Sequence, residues 1–320
     1  MLSDEVIQSM KNLIEYRIGN REDSKEFNSI LNFEREAQHK SHYKCNHIMC
    51  RKPSIDSHEL SRKIVLEGLS NNKKEVFFLI PDFAGNSFRY TFKPRSIEGA
   101  TTFPGFCEGH DNDLFLSMED EFSGVNSDYV HRQTLRTLRK EIYKKKLHIT
   151  KLVRTLRKDK SSSKNEKWRY IFGRILETRG ILNSYRCFYR RLWHAITLKS
   201  KFLHYKVIEV KNKGVAFSGM YDLSEEGQHV DSYVFVYLIP IGNLSYFIMA
   251  SLDDKDTVGL VDEIFPKGSG DKFFVQSMIL EKKEDIVFSE DFIRSNQIPS
   301  ALFDHSEIVN HGIFPCVELF

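Results

Sequence analysis

Long apolar runs are absent from this chain of 320 residues, which excludes an ordinary membrane-spanning helix. The longest candidate, residues 234–251, is interrupted by Pro240 and Gly242 and is typical of a β-hairpin. Cysteines are few, and their odd number of five and scattered positions do not fit a disulfide framework. The first residues lack the basic-then-apolar order of a secretory signal peptide. These absences together predict a reduced, cytoplasmic protein.

Two common catalytic signatures are also absent from the sequence. Gly268-Ser-Gly270 lacks the downstream context of a phosphate-binding P-loop, and no Gly-x-Ser-x-Gly elbow of a serine hydrolase occurs. The composition is that of an ordinary soluble globular protein, with 41% hydrophobic and 28% charged residues. The length is sufficient for two domains with a buried core. Because the two signatures are missing, any chemistry must be sought in other motifs.

Acidic residues are scarce in one long stretch of the chain. Residues 132–206 contain 23 of the 47 Lys and Arg but only four of the 44 Asp and Glu, although the net charge is only +3. Apolar residues between these cations predict a long helix from residue 129 toward residue 158, with one buried stripe and a basic outer face. Such a face suits the phosphate backbone of a nucleic acid.

Nine basic side chains of this stretch are expected to contact nucleic acid. They are Arg136, Arg139, Lys140, Lys144, Lys145, Lys151, Arg154, Arg190 and Arg191. Two alternatives stay open: the charges solubilise outer helix faces, or the basic amphipathic helix lies on a membrane surface.

Metal-binding and acid–base side chains are concentrated between residues 45 and 111. Three short segments carry them: CNHIMC at 45–50, DSHE at 56–59 and FCEGHD at 106–111. The two outer segments have the spacing of tight loops that direct two side chains to one tetrahedral zinc ion. We therefore predict a structural zinc site formed by Cys45, Cys50, Cys107 and His110. His47 could replace one ligand, and burial of unrelated thiols is the alternative.

Two further side chains are candidates for acid–base and metal chemistry. His58 stands beside acidic residues, and an imidazole that is neutral near pH 7 can take a proton from water. Asp111 follows a predicted zinc ligand, and a carboxylate held in a rigid loop can bind a hard cation such as Mg²⁺. The alternatives are an exposed histidine at the start of a helix capped by Ser57, and an aspartate favoured by a helix dipole.

The order of these segments resembles HNH-type, or ββα-metal, endonucleases, over residues 45–120. In that family a Cys-x-x-Cys knuckle precedes an Asp-His step, and a Leu-Cys-x-x-Cys-His turn completes the zinc site. The resemblance implies that His58 is the general base and that Asp111 binds a catalytic Mg²⁺ or Mn²⁺. This chain has a longer first spacer, Ser57 in place of Asp, His110 in place of Cys and Asp111 in place of His. The same segments also resemble a bacterial family of unassigned function.

The expected fold class is α+β, in three regions. Residues 1–125 are expected to hold a helical lead-in and a zinc-bound HNH-like module, residues 126–200 a basic helical region, and residues 201–320 an α+β domain of mainly antiparallel strands. Other predicted elements are hairpins at 76–80/88–92, 205–210/215–218 and 232–239/245–251, a bend at 161–165, a strand at 273–279, and helices that start near Cys107, at residue 257 and after Ser289.

The implied function is metal-dependent cleavage of DNA or RNA, and a bacterial nuclease of this kind is expected to serve phage defence. One alternative is a zinc-containing protein that binds nucleic acid without cleaving it. Another is a regulatory or assembly protein, in which the C-terminal domain binds a protein partner, a second copy of the chain or a small ligand.

Overall fold

Apolar and aromatic residues dominate the segments at 233–241 and 244–252, and both form strands that are buried on two faces. Strands β7 (Tyr233–Ile241) and β8 (Leu244–Leu252) pair as an antiparallel hairpin, and Gly242 supplies the positive φ of 60° that the turn requires. Odd-numbered residues of β7 join one hydrophobic cluster and even-numbered residues join another. The strand is therefore an interior one, covered on both sides.

The computed structural model has the α+β class expected from the sequence. It describes residues 43–47, 49–84, 87–120, 122, 124–158, 166–223, 232–253, 255–265, 279, 281–295 and 303–304. The expected helical lead-in before residue 43, the bend at 161–165 and residues 273–278 of the expected strand lie outside the described residues.

The remaining strands of the described residues complete two sheets. They are β1 (Asp56–His58), β2 (Glu75–Ala84), β3 (Ser87–Ser96), β4 (Thr102–Pro104), β5 (Leu203–Lys211), β6 (Val215–Asp222), β9 (Val287–Phe288) and β10 (Phe303–Asp304). Strands β1 and β4 form a separate antiparallel pair. The other strands form one antiparallel sheet in the order β10-β3-β2-β9-β6-β7-β8-β5.

The helices lie on both faces of the large sheet. They are α1 (a π-helical turn, Arg62–Leu66, continued by Glu67–Leu69), α2 (Glu108–Asp120), α3 (Ser127–Lys158), α4 (Glu166–Leu198), α5 (Lys255–Ile264) and α6 (Glu290–Ser295). Helices α3 and α4 cover one face, where Phe188 packs against Phe235 with ring centroids 5.6 Å apart. Helices α5 and α6 cover the other, where Val261 and Phe292 join the cluster of Val234.

Two sequence-based predictions about elements are wrong. Ser57 is not a helix cap, because it lies in β1 opposite Phe103, and the hydroxyl of Ser61 accepts the hydrogen bond from the Ile64 amide (3.2 Å) that caps α1. Strands β5 and β6 do not form a hairpin, because β5 pairs with β8 along its whole length. The burial patterns give the reason: β6 has seven consecutive buried residues and needs an interior place, whereas β5 is half-exposed and suits an edge.

The large sheet crosses both expected region boundaries, at residues 125 and 200. Strand β9 pairs with β2 on one side and with β6 on the other, so strands from both ends of the chain share one sheet. The hairpin β2–β3, the hairpin β7–β8, helix α3 and the helix capped by Ser289 agree with the sequence-based predictions. Among the described helices, none has an apolar stretch long enough to cross a membrane.

Candidate metal centre

The short pair β1–β4 joins the two segments that carry the predicted ligands. The amide of Phe106 donates a hydrogen bond of 3.1 Å to the Ser57 hydroxyl, and the Ile55 amide donates one of 2.7 Å to the Phe106 carbonyl. A Cβ atom at Gly105 would lie 2.5 Å from the Ser57 oxygen, so only glycine permits this close approach. Residue 107 is therefore held beside β1, although the two are distant in sequence.

The first loop, from Cys45 to Cys50, is closed by backbone hydrogen bonds. The Cys45 amide donates to the Lys52 carbonyl (2.8 Å) and the Cys50 amide donates to the His47 carbonyl (3.1 Å). Met49 completes the turn with a φ of 66°, in the left-handed region that few side chains adopt. The turn directs both thiols to the same side of the loop.

The second loop leads directly into α2. The Asp111 amide donates to the Cys107 carbonyl (2.8 Å), which closes the first turn of the helix. Cys107 and His110 are three residues apart across this turn, so their side chains lie on one face.

The four predicted zinc ligands form one cluster able to hold a metal ion. The ligand atoms of Cys45, Cys50, Cys107 and His110 all lie within 4.8 Å of one another. The Nδ1 atom of His110 is 3.4 Å from the sulfur of Cys45 and 3.3 Å from that of Cys107. Around a tetrahedral ion with bonds of about 2.1–2.3 Å, neighbouring ligand atoms are roughly 3.5 Å apart. Three sulfurs and one nitrogen at these separations therefore fit an ion such as zinc.

The surroundings of the cluster shift the pKa values of three ligands. The backbone amide of His110 lowers the pKa of Cys107, and burial lowers the pKa of His110, with the charge of His47 acting in the same direction. Both shifts favour the thiolate and neutral imidazole forms that bind metals. Burial raises the pKa of Cys45 to about 11, so this thiol needs the charge of a metal ion to lose its proton at neutral pH.

Aromatic residues of α4 support the first loop. The ring of His47 stacks on that of His110, with centroids 3.6 Å apart, and Trp193 meets His47 edge-on at 4.8 Å. The Tyr189 hydroxyl donates a hydrogen bond of 3.0 Å to the Asn46 carbonyl. His47 thus packs against a ligand instead of replacing one. Tyr189 and Trp193 are not among the residues predicted to lie near the cluster, although their four-residue spacing on one helix face is visible in the sequence.

His58, the predicted general base, ends β1 and is half-buried. Its Nδ1 atom is 2.9 Å from the Ala100 carbonyl, and because a carbonyl only accepts, Nδ1 carries the hydrogen. Burial lowers the pKa of His58, so the imidazole is neutral at pH 7. The neutral ring then has its lone pair on Nε2, which is the form that a general base requires.

Asp111, the predicted ligand of a catalytic metal, lies in the first turn of α2. Its Oδ1 atom is buried and has no hydrogen-bond partner among the residues that the structure describes. Ser57 stands where the resembled family has a metal-binding aspartate, but its hydroxyl is buried and accepts the Phe106 amide. Of these two positions, Asp111 has an unpartnered side-chain oxygen, whereas the Ser57 oxygen is already engaged.

Four of the nine predicted nucleic-acid contacts are occupied by interactions inside the protein. Arg136 is 2% exposed, lies over the Phe115 ring and pairs with Glu119 at 2.6 Å. Arg139 is 6% exposed and lies over the Tyr189 ring. The expectation that these two arginines face a nucleic acid is wrong, because α3 is packed between the sheet, α4 and the metal module.

The other two cations are Lys140, whose side chain is 12% exposed, and Lys144, which is half-buried and 39% exposed. Lys140 pairs with Glu59 and with Asp285 (2.9 Å), and Lys144 reaches Asp285 at 2.6 Å. Burial works against ionisation of Asp285, but the two lysines overcome it and hold its pKa well below the usual range. Both lysines therefore neutralise internal carboxylates, which corrects their assignment to a nucleic-acid surface.

The other five predicted contacts differ in exposure. Arg154, Arg190 and Arg191 are exposed, whereas Lys145 and Lys151 are half-buried. Their contact with nucleic acid stays a prediction.

Comparisons of the chain with models of protein families, with curated proteins and with solved structures found no match.

Proposed function

We propose that the chain is a metal-dependent nuclease with an HNH-like site organised by a structural zinc ion. One observation carries the proposal: His58 projects from an antiparallel strand pair that leads directly into α2, and the Cys/His cluster lies at that junction. Strands β1 and β4 followed by α2 match the strand, strand and helix of the ββα-metal family that the sequence resembles, with α1, β2 and β3 inserted between β1 and β4.

The zinc assignment rests on the donor set. All four ligands come from the protein, which is the closed coordination typical of a structural zinc site. Its role is to hold the start of α2 beside β1. No coordination position is left for a substrate, so hydrolysis is assigned to His58 and Asp111.

The chain's own residues divide the hydrolytic work between them. The Ala100 carbonyl orients the His58 ring, so that Nε2 can take a proton from the attacking water. The unpartnered Oδ1 of Asp111 supplies an oxygen ligand for a hard cation. A divalent ion, when bound there, would stabilise the negative charge that develops on the phosphate oxygens.

The test is cleavage of plasmid DNA and of single-stranded RNA by the full-length protein, with Mg²⁺ or Mn²⁺ added. Replacing a general base should lower the rate by roughly 10²–10⁴-fold, so we expect this loss in His58→Ala with zinc content unchanged. His194→Ala, which changes an exposed histidine of α4, is the matched control and should retain full activity. Absence of cleavage by the unaltered protein, or full activity of His58→Ala, would overturn the proposal.

The second candidate function is nucleic-acid binding without cleavage. The engagement of Ser57 with the Phe106 amide favours it, because the position has no carboxylate to share a catalytic metal with Asp111. Saturable binding of DNA or RNA by a protein that cleaves neither would support this candidate. A role in phage defence and a cytoplasmic location stay predictions.

A further inference from the structure

A cavity of about 460 Å³ lies between α3 and α4, on a part of the molecule that the proposed nuclease site does not use. Three cationic side chains line it: Lys146 from α3, and Arg179 and Arg186 from α4. The ring of Tyr43 and the side chains of Leu182 and Asn183 line the same space. Its size is within the range of pockets that bind small ligands.

The cations of this cavity are not neutralised by the protein. Among the described residues, no carboxylate forms an ion pair with Lys146, Arg179 or Arg186. Arg139 lies two turns before Lys146 on α3, and its buried Nε atom has no hydrogen-bond partner in the described part of the chain. Burial lowers the pKa of Lys146 to about 8, and the charges of Arg139 and Arg186 add to this shift. Cations therefore repel one another here without a partner.

Two neighbouring lysines on the same helix, unlike Lys146, form ion pairs with carboxylates. Lys140 and Lys144 are held by Glu59 and Asp285, which come from distant parts of the chain. In the described part of the chain, the fold thus supplies carboxylates to these two lysines but none to half-buried Lys146 or to Arg179 and Arg186, whose side chains are exposed at the cavity. A half-buried cation without a counter-charge is costly, and three cations that converge on one cavity suit an anionic ligand that provides the missing charge.

We propose that the cavity binds a nucleotide, whose phosphate group is held by Arg179, Arg186 and Lys146. Guanidinium groups match the geometry of phosphate oxygens with two parallel hydrogen bonds, and two of the three cations are arginines. Tyr43 and Ile149, which are both half-buried and line the cavity, offer aromatic and apolar surface to a planar base. The same chemistry is present in a free nucleotide and in one nucleotide of a strand. The inference does not depend on the proposed nuclease activity.

The test is calorimetric titration of the full-length protein at low ionic strength. The probes are the four ribonucleoside monophosphates, the matching nucleosides and a short single-stranded oligonucleotide. We expect saturable binding of a monophosphate or of the oligonucleotide, and none of the nucleosides. Binding of a monophosphate assigns the site to a free nucleotide, and binding of the oligonucleotide alone assigns it to a strand.

Two variants with the same charge change separate the cavity from general surface charge. Arg186→Gln removes a lining cation and should weaken binding roughly tenfold or more, the usual effect of losing a charge-assisted bond. Arg174→Gln removes an exposed arginine of the same helix that pairs with Glu177, outside the cavity, and should bind as the unaltered protein does. Equal effects of both variants, nucleoside binding as tight as monophosphate binding, or no binding of any probe would overturn the proposal.

A stability measurement adds a readout that a purely structural cluster would not give. Removing one of several mutually repelling cations should leave the melting temperature of the ligand-free protein unchanged or raise it. In Lys146→Gln we therefore expect an unchanged or higher melting temperature, together with loss of the stabilisation by nucleotide that the unaltered protein shows. A lower melting temperature in Lys146→Gln, with the nucleotide effect retained, would contradict a ligand site.

Discussion

The strands β5 to β8 of the central sheet are eight or nine residues long, whereas the strands β1 and β4 of the metal module have three residues each. The sheet is stabilised by burial: β7 has eight buried residues out of nine. The module has too few strand residues for a core of its own, and its chain is held by side-chain hydrogen bonds and by the Cys/His cluster. A small unit of this kind commonly needs a metal ion to be stable.

The two regions also differ in how they use polar groups. In the sheet, the buried hydroxyls of Thr134 and Thr137 on α3 pair with Tyr237 (2.8 Å) and Ser218 (2.7 Å), which are neutral contacts. The module instead contributes a buried carboxylate, Glu59, which needs a cation from the helical layer. We therefore expect that loss of metal ligands or of charged partners unfolds the module, and that loss of side-chain packing unfolds the sheet.

Loss of a metal ligand should give the largest effect and should separate the two regions. Metal binding contributes roughly 10–16 kcal/mol in small zinc domains, so in Cys107→Ser we expect loss of the ion and local opening of residues 45–58 and 102–111. Hydrogen exchange should become fast there while β7 and β8 stay protected. Cys187→Ser, which changes an exposed free cysteine, is the control. Equal loss of protection in β7 would contradict the distinction.

Truncation of a core aromatic residue tests the sheet. Phe235 is fully buried and packs against Phe188, so Phe235→Ala should lower the free energy of unfolding by about 3–5 kcal/mol. The folded fraction should keep its full metal content. Denaturant unfolding and metal analysis measure these two quantities, and Leu244→Ala, at a position 41% exposed, is the control. Metal loss from folded Phe235→Ala would show that the two regions are not separate in stability.

Removal of a charge at the contact between module and helical layer should cost somewhat less. Lys140→Met leaves Glu59 buried without its cation, and breaking a buried pair costs about 3 kcal/mol or more. The change is expected in the free energy of unfolding at neutral pH. Lys63→Met breaks an exposed pair with Asp120 and should have little effect. Similar behaviour of the two variants would contradict the role assigned to Glu59.

Acid should destabilise the module by protonating His58, and of the four predicted effects on stability this should be the smallest. Burial lowers the pKa of His58 below its ordinary value of 6.5, so the unfolded chain binds this proton more readily than the folded protein. Stability from this group is fully present above pH 6.5 and is lost as the pH falls through the folded pKa. One proton changes the free energy of unfolding by at most about 1.4 kcal/mol per pH unit. Between pH 6.5 and 5.5, His58→Gln should show a shallower loss than the unaltered protein or His194→Gln.

The ligands of the candidate site were predictable from sequence because their spacing is local. Loops such as Cys45–Cys50 and Cys107–His110 direct two side chains to one point whatever the rest of the fold does. The meeting of the two loops is a long-range event, and it was expected only because each loop supplies half of a tetrahedral set. The structure brings the four residues together.

The surface of α3 was not predictable in the same way. A helical pattern shows which residues share a face, but it does not show which faces are covered. Lys140 is 81 residues from Glu59 and 145 residues from Asp285, so the partners that make it internal are invisible in the local sequence. The predicted pairing of β5 with β6 was wrong for a related reason. A good turn signal at 211–214 does not decide which strand pairs with β5.

The zinc site can be tested by X-ray absorption spectroscopy, with metal analysis, on full-length protein purified without chelators. We expect one zinc ion per chain with three sulfur ligands at about 2.3 Å and one nitrogen at about 2.0–2.1 Å. A protein without a transition metal, or an ion bound only by oxygen, would contradict this expectation.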